Sequence, residues 1–196
     1  IQDFGAPAQA GFSIGGRIMQ SIFMPTMAIA FAVGPIIGQN FGAGKTDRVR
    51  ETFNSGIILS SVVMIVTTVI MQWRPEVLVM FFTEDAEVIE VGAVFLQLIS
   101  LNFVAQGIVF TCSGVFQGLG NTRPALFSSG VRILIFVPIA LYVRYQPDFS
   151  INMVWYISIL SVTAQAIVSF LLVRREFVRK LDSSEKEHPG ETERAV

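Results

Sequence analysis

Asn102, Gln106, Ser113 and Gln117 stand four, seven and four residues apart. At about 100° per residue a helix gathers them into a sector of about 60°. Amides and hydroxyls on one face of an apolar helix have two uses. They hold neighbouring helices together, at about 1 kcal/mol per hydrogen bond, or they face a path along which a substrate or ion moves. The spacing is compatible with both. Asn102 and Gln106 are the candidate substrate contacts, because Gln117 falls where the apolar run ends and polarity costs little. Arg132 is the third candidate. It lies eight residues beyond Pro124, about 12 Å along the next helix. A guanidinium at that depth is costly, so it must face the bundle interior or snorkel to an interface. No acid lies between Val91 and Pro147, and a carboxylate partner must therefore come from elsewhere.

Other chemistries are poorly supplied. The run Gln39 to Thr46 ends in Gly44-Lys45-Thr46 like a phosphate-binding loop, but that motif requires glycine where Gln39 stands and a preceding strand. Gly42 and Gly44 read instead as a helix end in left-handed conformations, with Lys45, Arg48 and Arg50 anchoring the turn. The single Cys112 sits in an apolar run and excludes a disulfide framework or a cysteine metal site. His188 lies in a polar tail and reads as a solvated side chain. Glu84 and Asp85 have no nucleophile or metal ligand near them in sequence. No catalytic constellation, cofactor or metal site is read, so an enzyme is not expected. A formal charge of −1 leaves no electrostatic footprint for nucleic acid.

The elements that must carry these side chains are membrane spans. Apolar residues make up 52% of the chain and charged ones 15%, against about 25% in ordinary soluble domains. There is no charge from Thr52 to Trp73, from Val91 to Thr122 or from Phe149 to Val173. Each run can cross a hydrocarbon core of about 30 Å with its backbone amides satisfied inside one helix. Two more candidates carry one charge each, Arg17 in the first and Arg132 in the second. The expectation is an all-α polytopic membrane bundle of about five transmembrane helices, at about 11–40, 52–73, 91–117, 124–143 and 149–173. The membrane part occupies 1–180. From Arg174 onward 12 of 23 residues are charged, so the tail is expected to start as a helical extension and to be disordered over 181–196.

Local signals refine this outline. Pro25 and Pro35 interrupt the first span, where each removes a backbone hydrogen bond and bends the axis; the bends either line a cavity or are static. Val77 to Phe82 is too short to cross and belongs at the interface. Trp73, Tyr142, Tyr145, Trp155 and Tyr156 fall near one boundary, as amphipathic rings do. Gly114, Gly118 and Gly120, followed by Asn121, Thr122 and Pro124, close the third span in a tight turn. Lys45, Arg48, Arg50, Arg123 and the basic tail share one side, and Glu76, Glu84, Asp85, Glu87 and Glu90 the other. By the distribution of Lys and Arg the basic side, with the C-terminus, is cytoplasmic. The N-terminus has neither a basic leader nor an initiator Met and reads as a truncation.

Three features together resemble the MATE (multidrug and toxin extrusion) family. They are the first span with Pro25 leading into Gly38-Gln39-Asn40-x-Gly42-Ala43-Gly44-Lys45, the Ser113-Gly114-x-x-Gln117-Gly118-x-Gly120-Asn121-Thr122-x-Pro124 turn, and Arg132 to Pro138 after it. The resemblance runs from about Gly5 to Lys180 and corresponds to the eighth to twelfth helices, most of a six-helix C-terminal lobe. It implies twelve helices in two lobes around a cavity that opens alternately to either side. It also implies export of amphipathic, often cationic, drugs and toxins in exchange for protons or sodium, from a bacterial inner membrane. The partners implied are lipid, the N-terminal lobe and the seventh helix that would precede Ile1. Where some relatives place a coupling acid on the tenth helix this chain has Gln106, which moves coupling to a carboxylate in the N-terminal lobe. The alternatives are a lipid-linked oligosaccharide flippase of the same superfamily, with a more cationic cavity, and a membrane module that does not transport.

Overall fold

The computed structural model describes residues 5–144 and 151–187, and among them every regular element is an α-helix. Tyr145 and residues 188–196, with His188, lie outside the described residues. The helices are α1 (Gly5–Gly42), α2 (Thr46–Trp73), α3 (Pro75–Met80), α4 (Ala86–Ser100), α5 (Phe103–Gly118), α6 (Arg123–Arg144) and α7 (Ile151–Glu187). Four stretches are long and apolar enough to span: Gln9–Gly42, Thr46–Trp73, Arg123–Val143 and Met153–Leu181. The remaining span, third in chain order, is not one helix. Its two halves, α4 and α5, meet at a bend of 55°, where a continuous helix over 91–117 was expected.

Lipid tails are as apolar as leucine, so spanning helices gain little by hiding apolar surface from one another, and close backbone approach decides their packing. The α1–α5 seam uses that device. Ala30, Gly34 and Gly38 on α1 face Gly114 and Gly118 on α5, each four residues apart. A Cβ on Gly34 would lie 3.2 Å from the Gly114 carbonyl oxygen, and one on Gly38 3.2 Å from that of Gly118. On Gly114 it would run into the Ala30 carbonyl oxygen, and on Gly118 into that of Gly34. These α5 glycines, expected as part of a turn, are therefore contact surface. Gly120 (φ 68°) alone supplies the left-handed turn residue after α5, and Gly44 (φ 70°) does so after α1. Gly42 is simply the last helical residue of α1. The prolines of α1 point away from its packed face, since Pro25 and Pro35 are both exposed.

Two apolar clusters flank the seam. At the basic end, Ile37, Val49, Phe53, Cys112, Phe116 and Val173 pack with Phe177 and Leu181 of α7. Leu181 is fully buried and the helix runs on to Glu187, so the stretch 181–187, expected to be disordered, is the end of α7. Lys180 Nζ donates to the Leu119 carbonyl at 2.6 Å, filling one acceptor left open where α5 stops and adding a cation to the negative end of its dipole. At the acidic end, Ile18, Met64, Met71, Leu96 and Phe103 form the second cluster. Trp155 joins it, stacked on Phe12 at 5.7 Å and edge-on to Phe95 at 4.9 Å. Of the rings expected near the interface, Trp155 is packed into this cluster, whereas Trp73, Tyr142 and Tyr156 are exposed.

Candidate functional site

The site is built around the break in the third span. Pro75 opens α3, where its missing N–H costs nothing. Asp85 caps α4 by accepting from the Glu87 and Val88 amides at 3.0 and 3.4 Å. At the far end of α4 the backbone tightens: the Leu101 and Asn102 amides both turn to the Ile99 carbonyl. The Gln97 carbonyl loses the Leu101 amide it would hold in a continuous helix. An orphan carbonyl in hydrocarbon costs several kcal/mol, so broken spans persist only where other groups satisfy it.

Side chains of α2 do so. Gln72 Nε2 donates to the Gln97 carbonyl at 2.8 Å and to Ser100 Oγ at 2.9 Å. Ser100 Oγ donates to the same Gln97 carbonyl at 2.8 Å. Thr68 Oγ1 stands 3.1 Å from the Ser100 carbonyl and 2.8 Å from that of Met64, sharing its one proton between them. Neither Gln72 nor Thr68 emerged from the sequence, because an isolated polar residue in a span carries no sign that it serves a break 25 to 32 residues away.

Asn102 occupies the break itself. It is 5% exposed, its backbone carbonyl starts α5 by accepting from the Gln106 amide at 2.9 Å, and neither Nδ2 nor Oδ1 has a partner among the described residues. A buried amide with both ends open costs about 1–3 kcal/mol per group. One turn on, Gln106 is half-buried, Ser113 is half-buried and Gln117 is exposed. The helical sector expected from their spacing thus grades from buried at the break to open at the basic end.

Arg132 stands apart. It is half-buried on α6, which packs along α7 and scarcely touches α5. Three residues before it, Ser129 Oγ accepts from Gln165 Nε2 at 3.5 Å. Asn102 and Gln106 therefore share one helix face, and Arg132 belongs to a different seam.

Two further polar groups were missed. Ser161, Gln165 and Ser169 are buried at four-residue spacing on α7, a signal as regular as the α5 sector. Gln165 Oε1 and Ser169 Oγ are unpartnered among the described residues. Between α1, α2 and α5, Thr111 Oγ1 lies 3.0 Å from Ser60 Oγ, and Thr26 is fully buried with its hydroxyl open. Among the described residues no three His, Cys, Asp or Glu side chains converge as metal ligands would. Neutral amides and hydroxyls bind, orient and select a ligand, and they exchange no proton over the physiological range.

Comparison with known proteins fits these features. Residues 1–142 match the family model MatE. Over 129 residues the chain is 31% identical to a probable multidrug resistance protein NorM of Thermotoga maritima, covering 66% of this chain and 28% of that protein. It is 22% identical over 172 residues to the multidrug export protein MepA of Staphylococcus haemolyticus, covering 88% of this chain and 38% of that protein. The fold superposes with a TM-score of 0.81 on an outward-facing multidrug resistance MATE family transporter of the MOP superfamily, at 18% identity over 88% of this chain and 39% of that one. On the eukaryotic MATE transporter AtDTX14 the score is 0.79, at 17% identity over 92% and 41%. The chain thus spans about a quarter to two fifths of the length of these relatives. With a family match over six of its helices and a spanning bundle that superposes on MATE transporters, the chain belongs to the MatE family.

Proposed function

We propose that this chain forms most of one lobe of a secondary antiporter in the bacterial inner membrane, which exports amphipathic or cationic compounds in exchange for protons or sodium ions. The observation that carries the proposal is Asn102: a buried amide with no partner among the described residues, held at a break where α2 side chains satisfy the Gln97 and Ser100 carbonyls but not Asn102. Gln106, one turn along the same face, extends that polar surface, while Arg132 lies on α6 in a different seam and is a separate candidate contact. Coupling rests with a carboxylate in the other lobe of the complete transporter, because neither Asn102 nor Gln106 titrates. The basic end, with the α1–α2 turn and the α7 extension, faces the cytoplasm.

The test uses the complete transporter reconstituted in vesicles, with drug efflux followed under imposed pH or sodium gradients. Asn102→Ala and Gln106→Ala are expected to change the preference among cationic and neutral drugs while the ion dependence of efflux stays as in the parent. Loss of ion dependence with drug binding intact would place coupling on α5 and overturn the assignment. Labelling of a cysteine at Ala43 from outside intact cells would reverse the orientation.

A further inference from the structure

A groove of about 670 Å³ runs between α1 and α2 at the basic end of the bundle. Its inner part is aliphatic, with Ala32, Ile36 and Leu59 among its walls, and its mouth carries Lys45 and Arg48. Ile36 is 44% and Leu59 53% exposed. Along α1 the groove extends from Ile29 to Asn40, eleven residues or about 16 Å, which is about half of a 30 Å hydrocarbon core and so the depth of one leaflet. We propose that this groove binds an anionic phospholipid, with an acyl chain along Ala32, Ile36 and Leu59 and the phosphate between Lys45 and Arg48.

The charge pattern selects the occupant. Lys45 is exposed and forms no ion pair among the described residues. Arg48 is held 3.2 Å from Glu51 by one guanidinium nitrogen, which leaves donors on its planar fork for a phosphate. Glu51 also lines the groove, so the mouth carries two cations against one acid. That excess suits an anion. A zwitterionic headgroup would set its own cation against Lys45, and a wholly apolar helix from a protein partner would leave both cations unanswered. Basic pockets between spans, at the level of the headgroups, recognise anionic lipids in this way. The inference rests on the spans and on the groove alone, and stands whether or not Asn102 and Gln106 contact a drug.

The experiment takes the complete transporter, stripped of lipid in detergent, and titrates it with phosphatidylglycerol or phosphatidylcholine, with retained lipid counted by native mass spectrometry. Phosphatidylglycerol is expected to stay bound under conditions that remove phosphatidylcholine. Each mouth cation should contribute about 5-fold, so Lys45→Gln with Arg48→Gln should weaken retention about 25-fold. Glu51→Gln should strengthen it, while Arg174→Gln with Arg175→Gln, on the exposed face of α7, should leave it unchanged. Ala32→Phe fills the groove and should abolish retention with both cations in place. Equal retention of the two lipids, or indifference to the Lys45 and Arg48 changes, would overturn the proposal. Displacement by deacylated glycerophosphoglycerol at equal concentration would reduce the mouth to a site for free phosphate esters. A disulfide formed between a cysteine at Ala32 and an upstream helix would show that protein, not lipid, fills the groove.

Discussion

The α1–α5 seam and the α6 helix are both apolar, yet they are held in opposite ways. In the seam two backbones touch through Ala30, Gly34, Gly38, Gly114 and Gly118, with no room for a Cβ at Gly114 or Gly118. In α6, only 6% of the most apolar stretch is buried, against 39% in its neighbour α7, and a Cβ added at Gly130 would meet nothing within 4 Å. The contrast shows what apolar character means inside a membrane. It entitles a helix to be there without telling it what to touch, and the contacts are set by small residues and a few hydrogen bonds.

The sharpest way to break this contrast is at Gly114. A side chain there meets the Ala30 carbonyl, which belongs to a helix backbone and cannot swing aside. Gly114→Ala is expected to cost about 1–3 kcal/mol, and Gly114→Val to remove most of the folded protein, as read from the monodisperse fraction in detergent and its melting temperature. A Gly114→Val protein that melts like the parent would mean the seam is loose.

Next in size is the hydrogen-bonded support of the broken span. Gln72→Leu keeps the volume but removes one of the two side-chain donors to the Gln97 carbonyl and the donor to Ser100 Oγ, and should cost about 1 kcal/mol. Hydrogen exchange should quicken at Leu101 to Ala105 and stay unchanged in α6. Uniform exchange along α4 and α5 would show that the bend does not depend on α2.

The smallest effect is expected at Gly130. Gly130→Ala should change stability by no more than about 0.5 kcal/mol, and in the favourable direction, because alanine is the better helix former. If it proves as harmful as Gly114→Ala, the open face of α6 has a protein partner in the complete transporter.

The same distinction explains what could be read from the chain. Spans are written in composition, so Thr46–Trp73 follows from the charge-free run Thr52 to Trp73 and Arg123–Val143 from an apolar run with Arg132 as its one internal charge, and the stretch Val77 to Phe82 is legible as too short to cross. The break at Leu101 and Asn102 is not written locally: no Pro or Gly stands between Ser100 and Phe103. It is stabilised by Gln72 and Thr68, which are distant in sequence. The α5 sector was legible as a face because 3.6-residue periodicity is local. Whether that face is buried, as at Asn102, or open, as at Gln117, depends on neighbours. Glu176 makes the same point at the basic end, where it looks like one more tail charge in sequence but is 6% exposed.

The last helix has a mechanical consequence. α7 is 37 residues of unbroken helix, a rod of about 55 Å. Lys180 ties it near one end to the Leu119 carbonyl, and Trp155 wedges it near the other between Phe12 and Phe95. A rod fixed at two points so far apart acts as a lever. If the Lys180 tie serves as the fulcrum, a tilt of about 5° carries Trp155, about 37 Å away along the helix, through about 3 Å, enough to disturb its stack on Phe12. Any swing of α7 must therefore release one of its two attachments first.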